Sequence, residues 1–178
     1  MSKITLKHAS CADQTVDAIV NAANNRLWAG GGICGVIFKK AGHLPLKAAC
    51  AQYQTPLPDG TAVITPAFNL TCAKHIIHAV GPDFSKTPGA FKELFDAYYN
   101  SLIVLHENGL HSISFPLISS GIFGGNLENP AAESAKQCCR AYGKFIADYP
   151  DYDIDVMLCA FSPAEMQQAQ GVFNQFGL

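Results

Sequence analysis

The sequence predicts an α/β fold, and three features predict it. Strand-like apolar runs alternate with segments of helical spacing along the whole chain. Two of those runs are apolar almost without interruption, as strands buried on both faces are. Each empties into a glycine-rich loop just ahead of a helix, where an α/β sheet places its ligand crevice. The totals agree. A chain of 178 residues suffices for one domain with a full core, so a single domain over residues 1–178 is expected, and 49% apolar with 15% charged residues suits a compact protein.

The first strand is short and edge-like, with Ile4 and Leu6 alternating with Lys3, Thr5 and Lys7. Residues 16–22 form the first buried strand. It ends in Asn21 and Asn24, crosses to Gly30, Gly31 and Gly32, and enters a helix carrying Ile33, Ile37 and Phe38, which Gly42 stops. A second helix covers residues 44–53, with Pro45 tolerated in its first turn. Residues 61–67 and 74–81 are strands, the latter closed by Gly81-Pro82. Thr87-Pro88 opens a long helix with the apolar stripe Phe91, Leu94, Phe95, Tyr98, Leu102 and Leu105, ended by Asn108-Gly109. The strand at residues 111–117 runs into ISSGIFGGN, residues 118–126, and Pro130 begins a helix reaching Tyr149. Residues 154–161 are the last buried strand, and Ser162 caps a final helix to Phe176.

Several function classes are disfavoured. A net charge of −2 leaves no basic surplus for gripping nucleic acid by its backbone. No apolar run reaches the ~18 residues of a membrane span, and the alternating start is unlike a signal peptide. Seven scattered cysteines imply free thiols in a reducing cytoplasm, and a monomer is expected. Cys72, His75 and His78 invite a zinc reading, but strand alternation turns the two histidines to opposite faces, so no metal and no cofactor is expected. His78 reads instead as a buried, hydrogen-bonded histidine. Asp148, Asp151, Asp153 and Asp155 read as a solvated acidic turn.

The chemistry is expected at the two glycine loops. Consecutive glycines let a backbone take positive φ and approach a ligand, and a following helix aims unpaired N–H groups at one point, which suits phosphate. A tight turn without a ligand fits the first loop equally well; the asparagines favour a site. Gly121, Gly124 and Gly125 repeat the pattern after the second strand. The two loops can face each other and grip a diphosphate with backbone N–H groups alone. Neither contains the GKS or GKT of a phosphate-binding loop, nor a GxGxxG. Phe123 packs on core or on the flat face of a ligand. Trp28 belongs to the rim or to the core.

NAAN at residues 21–24, GGG at 30–32, HAVGP at 78–82 and PLISSGIFGG at 116–125 resemble, in order and spacing, the motifs of a macrodomain, the ADP-ribose-binding module. The resemblance spans nearly the whole chain, and its Gly-Ile-Phe-Gly form is similar to viral members. It implies a three-layer α/β/α sandwich with a central mixed, mostly parallel sheet. It also implies that Asn24 bonds the distal ribose, with Gly30, Gly31 and Gly32 lining that ribose and the adjacent phosphate. Ser119, Ser120, Gly121, Ile122 and Phe123 would form the diphosphate loop, Phe123 orienting the distal ribose, and Phe161 would stack near adenine or be a core residue. The expected catalytic set is Asn24, Gly32 and Phe123. Ser10, Cys11, Asn21, Ala22, Ile33, Cys34 and Gly124 complete the expected lining.

Two departures from the family matter. Ser10 stands where the family places an Asp for the adenine amino group, unless Asp13 serves instead. Cys34 and Phe38 stand where the human and bacterial hydrolases carry an Asp and a His. Viral-type members share that loss and still remove ADP-ribose from carboxylates, a route attributed to the substrate's own phosphate activating water. Cys34 is then a pocket wall or a reactive thiol. The resemblance implies a hydrolase of mono-ADP-ribose esters on proteins, or alternatively a non-catalytic module that binds ADP-ribose; a general nucleic-acid or poly(ADP-ribose) binder is the weakest reading.

Overall fold

The computed structural model describes residues 1–178. Six strands form one sheet: β1 (Lys3–His8), β2 (Ala18–Ala23), β3 (Ala62–Pro66), β4 (His75–Val80), β5 (Ser112–Pro116) and β6 (Asp155–Ala160). Their order is β1-β6-β5-β2-β4-β3, with every neighbouring pair parallel except β3 and β4. The mixed, mostly parallel sheet expected from the sequence is therefore present, with β1 at an edge. The helices are α1 (Gly32–Ala41), α2 (His43–Cys50), α3 (Phe91–Glu107), α4 (Pro130–Asp148) and α5 (Pro163–Gln175).

Side-chain alternation along the strands builds two cores. Ala18 and Val20 of β2 and Ile77 and Ala79 of β4 join Leu94 and Tyr98 of α3, Phe145 of α4 and Ala169 of α5. Ile19 and Ala23, with Ile76 and Val80, join Ile37 and Phe38 of α1 and Leu46 of α2 on the opposite face. A strand buried on both faces has no polar side to alternate with, hence the unbroken apolar runs.

Most element boundaries fall within a few residues of those read from the sequence. The start of α3 is a correction: Thr87-Pro88 leads into a turn, and the helix begins at Phe91. Gly89 sits at φ +84°, which a right-handed helix cannot include. Ser162 caps α5 as expected, its hydroxyl accepting the Glu165 N–H at 3.2 Å.

One detail of register shapes the function. β2 pairs with β4 along its whole length but with β5 only at Ala18↔Ile113 and Ile19↔Ser114. Further along, Phe115 and Pro116 pair instead with Leu158 and Cys159 of β6. The two central strands thus part toward their carboxyl ends. The chain leaves β2 for helices on one face and β5 for helices on the other, so a crevice opens at this switch point.

Candidate functional site

The carboxyl ends of the five parallel strands bring together residues 9–13 after β1, 24–31 after β2, 81–84 after β4, 117–125 after β5, and Phe161 after β6. Both glycine loops lie at the parting of β2 and β5, as the sequence predicted.

Asn24 organises the first loop. Its Oδ1 accepts the N–H groups of Arg26 at 3.2 Å and Trp28 at 3.0 Å, and Nδ2 donates to the Trp28 carbonyl at 2.8 Å. The amide is locked with one N–H left over. A Cβ on Gly30 would stand 4.0 Å from that Nδ2, so the space beside it is open backbone. The N–H groups of Gly31, Gly32 and Ile33 donate to no group of the protein, that of Gly30 is directed at the Cys34 thiol, and Gly35 N–H bonds the Gly31 carbonyl at 3.3 Å to start α1. Gly32 sits at φ +58°. Gly35 must be a glycine for a different reason: a Cβ there would meet the Gly30 carbonyl oxygen at 2.7 Å.

The second loop is held from behind. The Tyr98 hydroxyl receives the Ile118 N–H at 3.0 Å and bonds Ser134 Oγ at 2.6 Å, and Ser134 donates to the Ile118 carbonyl at 2.6 Å. The β4 corner braces the other side: Ser119 Oγ donates to the Pro82 carbonyl at 2.7 Å, and Phe84 N–H to the Phe123 carbonyl at 2.8 Å. Gly81 admits this contact, because its Cβ would fall 2.4 Å from both Ile118 Cγ2 and Ser119 Oγ. The N–H groups of Ser119, Ser120 and Gly121 donate to nothing in the protein. Two stretches of unpaired backbone donors thus flank one crevice, an arrangement suited to a diphosphate.

Several expected contacts take a different form. Asn21 is buried, its Nδ2 shared between His78 Nδ1 at 3.1 Å and Cys34 Sγ at 3.7 Å, with Oδ1 unpartnered. It stands on the inward face of β2 and supports the loop from below rather than lining the crevice. Cys34 is likewise buried, its Sγ donating to the Trp28 carbonyl at 3.6 Å, and burial raises its pKa. Burial and a raised pKa disfavour a reactive thiol, and the contacts make Cys34 a strut of the wall. Cys11 points inward to the Val20 carbonyl at 3.6 Å, and burial raises its pKa well above the ordinary value. The hydroxyls of Ser119 and Ser120 are spent on Pro82 and Leu117, so only their backbone faces the crevice. Gly124 is buried against Pro130, whose Cβ would stand 2.9 Å from an added Cβ. Ala22 and Ile33 are half-buried beside the first loop.

The open alternatives are also resolved. Trp28 is 64% and Phe161 79% exposed, so both are rim residues and not core. Phe123 is half-buried and Ile122 exposed at the loop tip. Asp13 pairs with Lys40 at 2.8 Å at the surface, and Ser10 Oγ accepts the Ala12 N–H at 3.3 Å. His78 is buried as expected, between Asn21 and Thr65 Oγ1 at 3.0 Å, and burial pulls its pKa down to about 4. Tyr98, Ser134 and Gly81, which set the second loop, escape a sequence reading because each looks like an ordinary residue of a helix or a strand end.

A crevice at the switch point of a mixed six-stranded sheet defines a ligand-binding α/β module, and the chain belongs to the macro domain family, whose profile matches residues 20–135. Among its relatives, the O-acetyl-ADP-ribose deacetylase of Salmonella typhimurium is 39% identical over 83% of this chain and 82% of that protein. The rat ADP-ribose glycohydrolase MACROD1 is 36% identical over 97% of this chain, which spans 64% of the rat protein's length. The Oceanobacillus iheyensis macrodomain with ADP superposes with a TM-score of 0.85 at 31% identity, covering 98% of this chain and 92% of that one. The Trypanosoma brucei macrodomain in complex with ADP-ribose gives 0.81 at 30%, covering 94% and 68%.

Proposed function

We propose that the protein binds ADP-ribose in this crevice and hydrolyses mono-ADP-ribose from proteins modified on Asp or Glu. The observation that carries the reading is the pair of facing loops with unpaired N–H groups and the locked Asn24 amide at one end. The diphosphate lies between residues 30–33 and 119–121, the distal ribose against Asn24, Gly32 and Phe123, and the adenine toward Ser10 and Phe161. The names of the curated relatives, a deacetylase of O-acetyl-ADP-ribose and an ADP-ribose glycohydrolase, support hydrolysis over binding alone.

No side chain of the first loop serves as acid or base, because Cys34 is buried with a raised pKa and Phe38 is apolar. The chain acts by placement. Asn24 and Phe123 fix the ribose so that water approaches its anomeric carbon. As the water oxygen bonds to that carbon, the ester carboxylate leaves with the electron pair of the broken C–O bond, and the water proton passes to a diphosphate oxygen. The fixed N–H groups hold the diphosphate in place and favour the charge redistribution. We place the protein in a reducing, cytoplasmic setting, a reading supported by seven cysteines that form no disulfide, and take it as a monomer.

An ADP-ribosylated protein substrate tests the reading. Wild type should release ADP-ribose, and Asn24→Ala should lower turnover on the order of 100-fold through lost placement. Persistence of the modification with wild type, while calorimetry detects ADP-ribose binding, would establish the binding-module reading that Cys34 and Phe38 favour.

A further inference from the structure

Beside the first loop, toward α1 and α2, lies a pocket of roughly 480 Å³ walled by Trp28, Ala29, Phe38, His43, Leu44 and Lys47. It is distinct from the crevice but shares a wall with it. Trp28 and Ala29 link Asn24 to Gly30, and Asn24 Nδ2 holds the Trp28 carbonyl at 2.8 Å. Trp28 and Leu44 are 64% and 82% exposed, so two large apolar side chains face water at its mouth. Phe38 forms the floor, its ring 5.9 Å from that of His43.

Charge gives a second, independent observation. Between Asp17 and Asp59 the chain carries no acidic residue, while Arg26, Lys39, Lys40 and Lys47 are all basic. Lys40 pairs with Asp13, whereas Arg26, Lys39 and Lys47 have no carboxylate partner. Arg26 instead lies over the Trp28 ring at 5.5 Å. In a protein of net charge −2, the pocket thus has Lys47 in its wall and Arg26 over its Trp28, so its rim is both cationic and apolar.

We propose that this pocket is a subsite for the polypeptide carrying the ADP-ribose, an acidic segment that lays an apolar side chain between Trp28 and Leu44. The inference rests on the hydrolase reading and names its substrate class. The occupant follows from three things: the pocket adjoins the Asn24 end, where the distal ribose joins the modified residue; unpaired cations complement a segment bearing Asp or Glu; and a single acetyl group is far too small for roughly 480 Å³.

The test compares kcat/KM on two substrates that share ADP-ribose and differ in the acyl group. One is a peptide mono-ADP-ribosylated on Glu, with a neighbouring Leu and further Asp residues; the other is O-acetyl-ADP-ribose with its acetyl on the same anomeric oxygen. Leu44→Glu and Lys47→Glu alter exposed positions of α2 and keep the fold. Each should lower kcat/KM on the peptide about tenfold and leave O-acetyl-ADP-ribose unchanged. Unchanged turnover of both substrates in both variants overturns the subsite and leaves the hydrolase standing. An equal loss on both substrates also overturns it, by making the pocket part of the ADP-ribose site. Wild type inactive on both overturns the hydrolase and the subsite together.

Discussion

Acidification should destabilise this protein through one buried ring, His78. Burial pulls its pKa from 6.5 down to about 4. The hydrogen bonds assign the neutral tautomer with the proton on Nε2: Nδ1 accepts from Asn21 at 3.1 Å, and Nε2 donates to Thr65 Oγ1 at 3.0 Å. A second ring proton would set a donor against the Asn21 amide in the core. Because the folded pKa lies below the unfolded one, the unfolded chain takes up the proton first. The stability contributed is complete above pH 6.5 and is lost as pH falls toward about 4. A tenfold difference in proton affinity is worth about 1.4 kcal/mol, so the full interval amounts to about 3 kcal/mol. Urea unfolding of wild type and His78→Gln between about pH 7 and pH 4 measures it. Groups common to both proteins, such as Asp59, whose pKa burial raises, cancel in the comparison. Wild type should lose about 3 kcal/mol more than the variant; parallel pH slopes would refute the assignment of this ring as buried and neutral.

The second loop offers two contrasting glycine substitutions. At Gly121 an added Cβ meets nothing within 4 Å, so Gly121→Glu should keep stability within about 0.5 kcal/mol yet abolish ADP-ribose binding by calorimetry, since it puts a carboxylate beside the diphosphate. Retained affinity would remove this loop from the site. At Gly81 the contacts at 2.4 Å leave no such room, and Gly81→Ala should cost about 1–3 kcal/mol of stability, read as a lower midpoint in thermal unfolding. Cys34, buried with a raised pKa, should resist iodoacetamide at about pH 8 in the folded protein and react only after denaturation; rapid alkylation of the native protein, located by peptide mass, would reinstate it as a nucleophile.

Much of the site was legible because its signals are local. A run such as AIVNAA fits a strand buried on both faces, and glycines after it mark a tight turn or a place where backbone can come close to a ligand. The α/β class, the edge position of β1, the cap at Ser162 and both loops follow from patterns within a few residues of each other. The long amphipathic stripe from Phe91 was equally plain, although its start was not, because Thr87-Pro88 resembles a helix opening and only Gly89 at φ +84° prevents it.

What the sequence determined by itself is the set of elements, the two glycine loops and the family they mark. Periodicity and glycine placement are properties of neighbours along the chain. What only the tertiary structure decided is which atoms of those loops are free to act. Asn21 and Asn24 are three residues apart and equally polar, but strand alternation buries the first against His78 and leaves the second at the crevice. Ser119 and Ser120 look like ligands until their hydroxyls are found bonded to Pro82 and Leu117. Nearly all buried polar groups find a partner, and those that hold the second loop lie on other elements: Tyr98 on α3, Ser134 on α4, and the turn after β4. The parting of β2 from β5 is likewise tertiary, since β5 stays paired with β6 and β2 with β4. The space between them is where the ligand belongs.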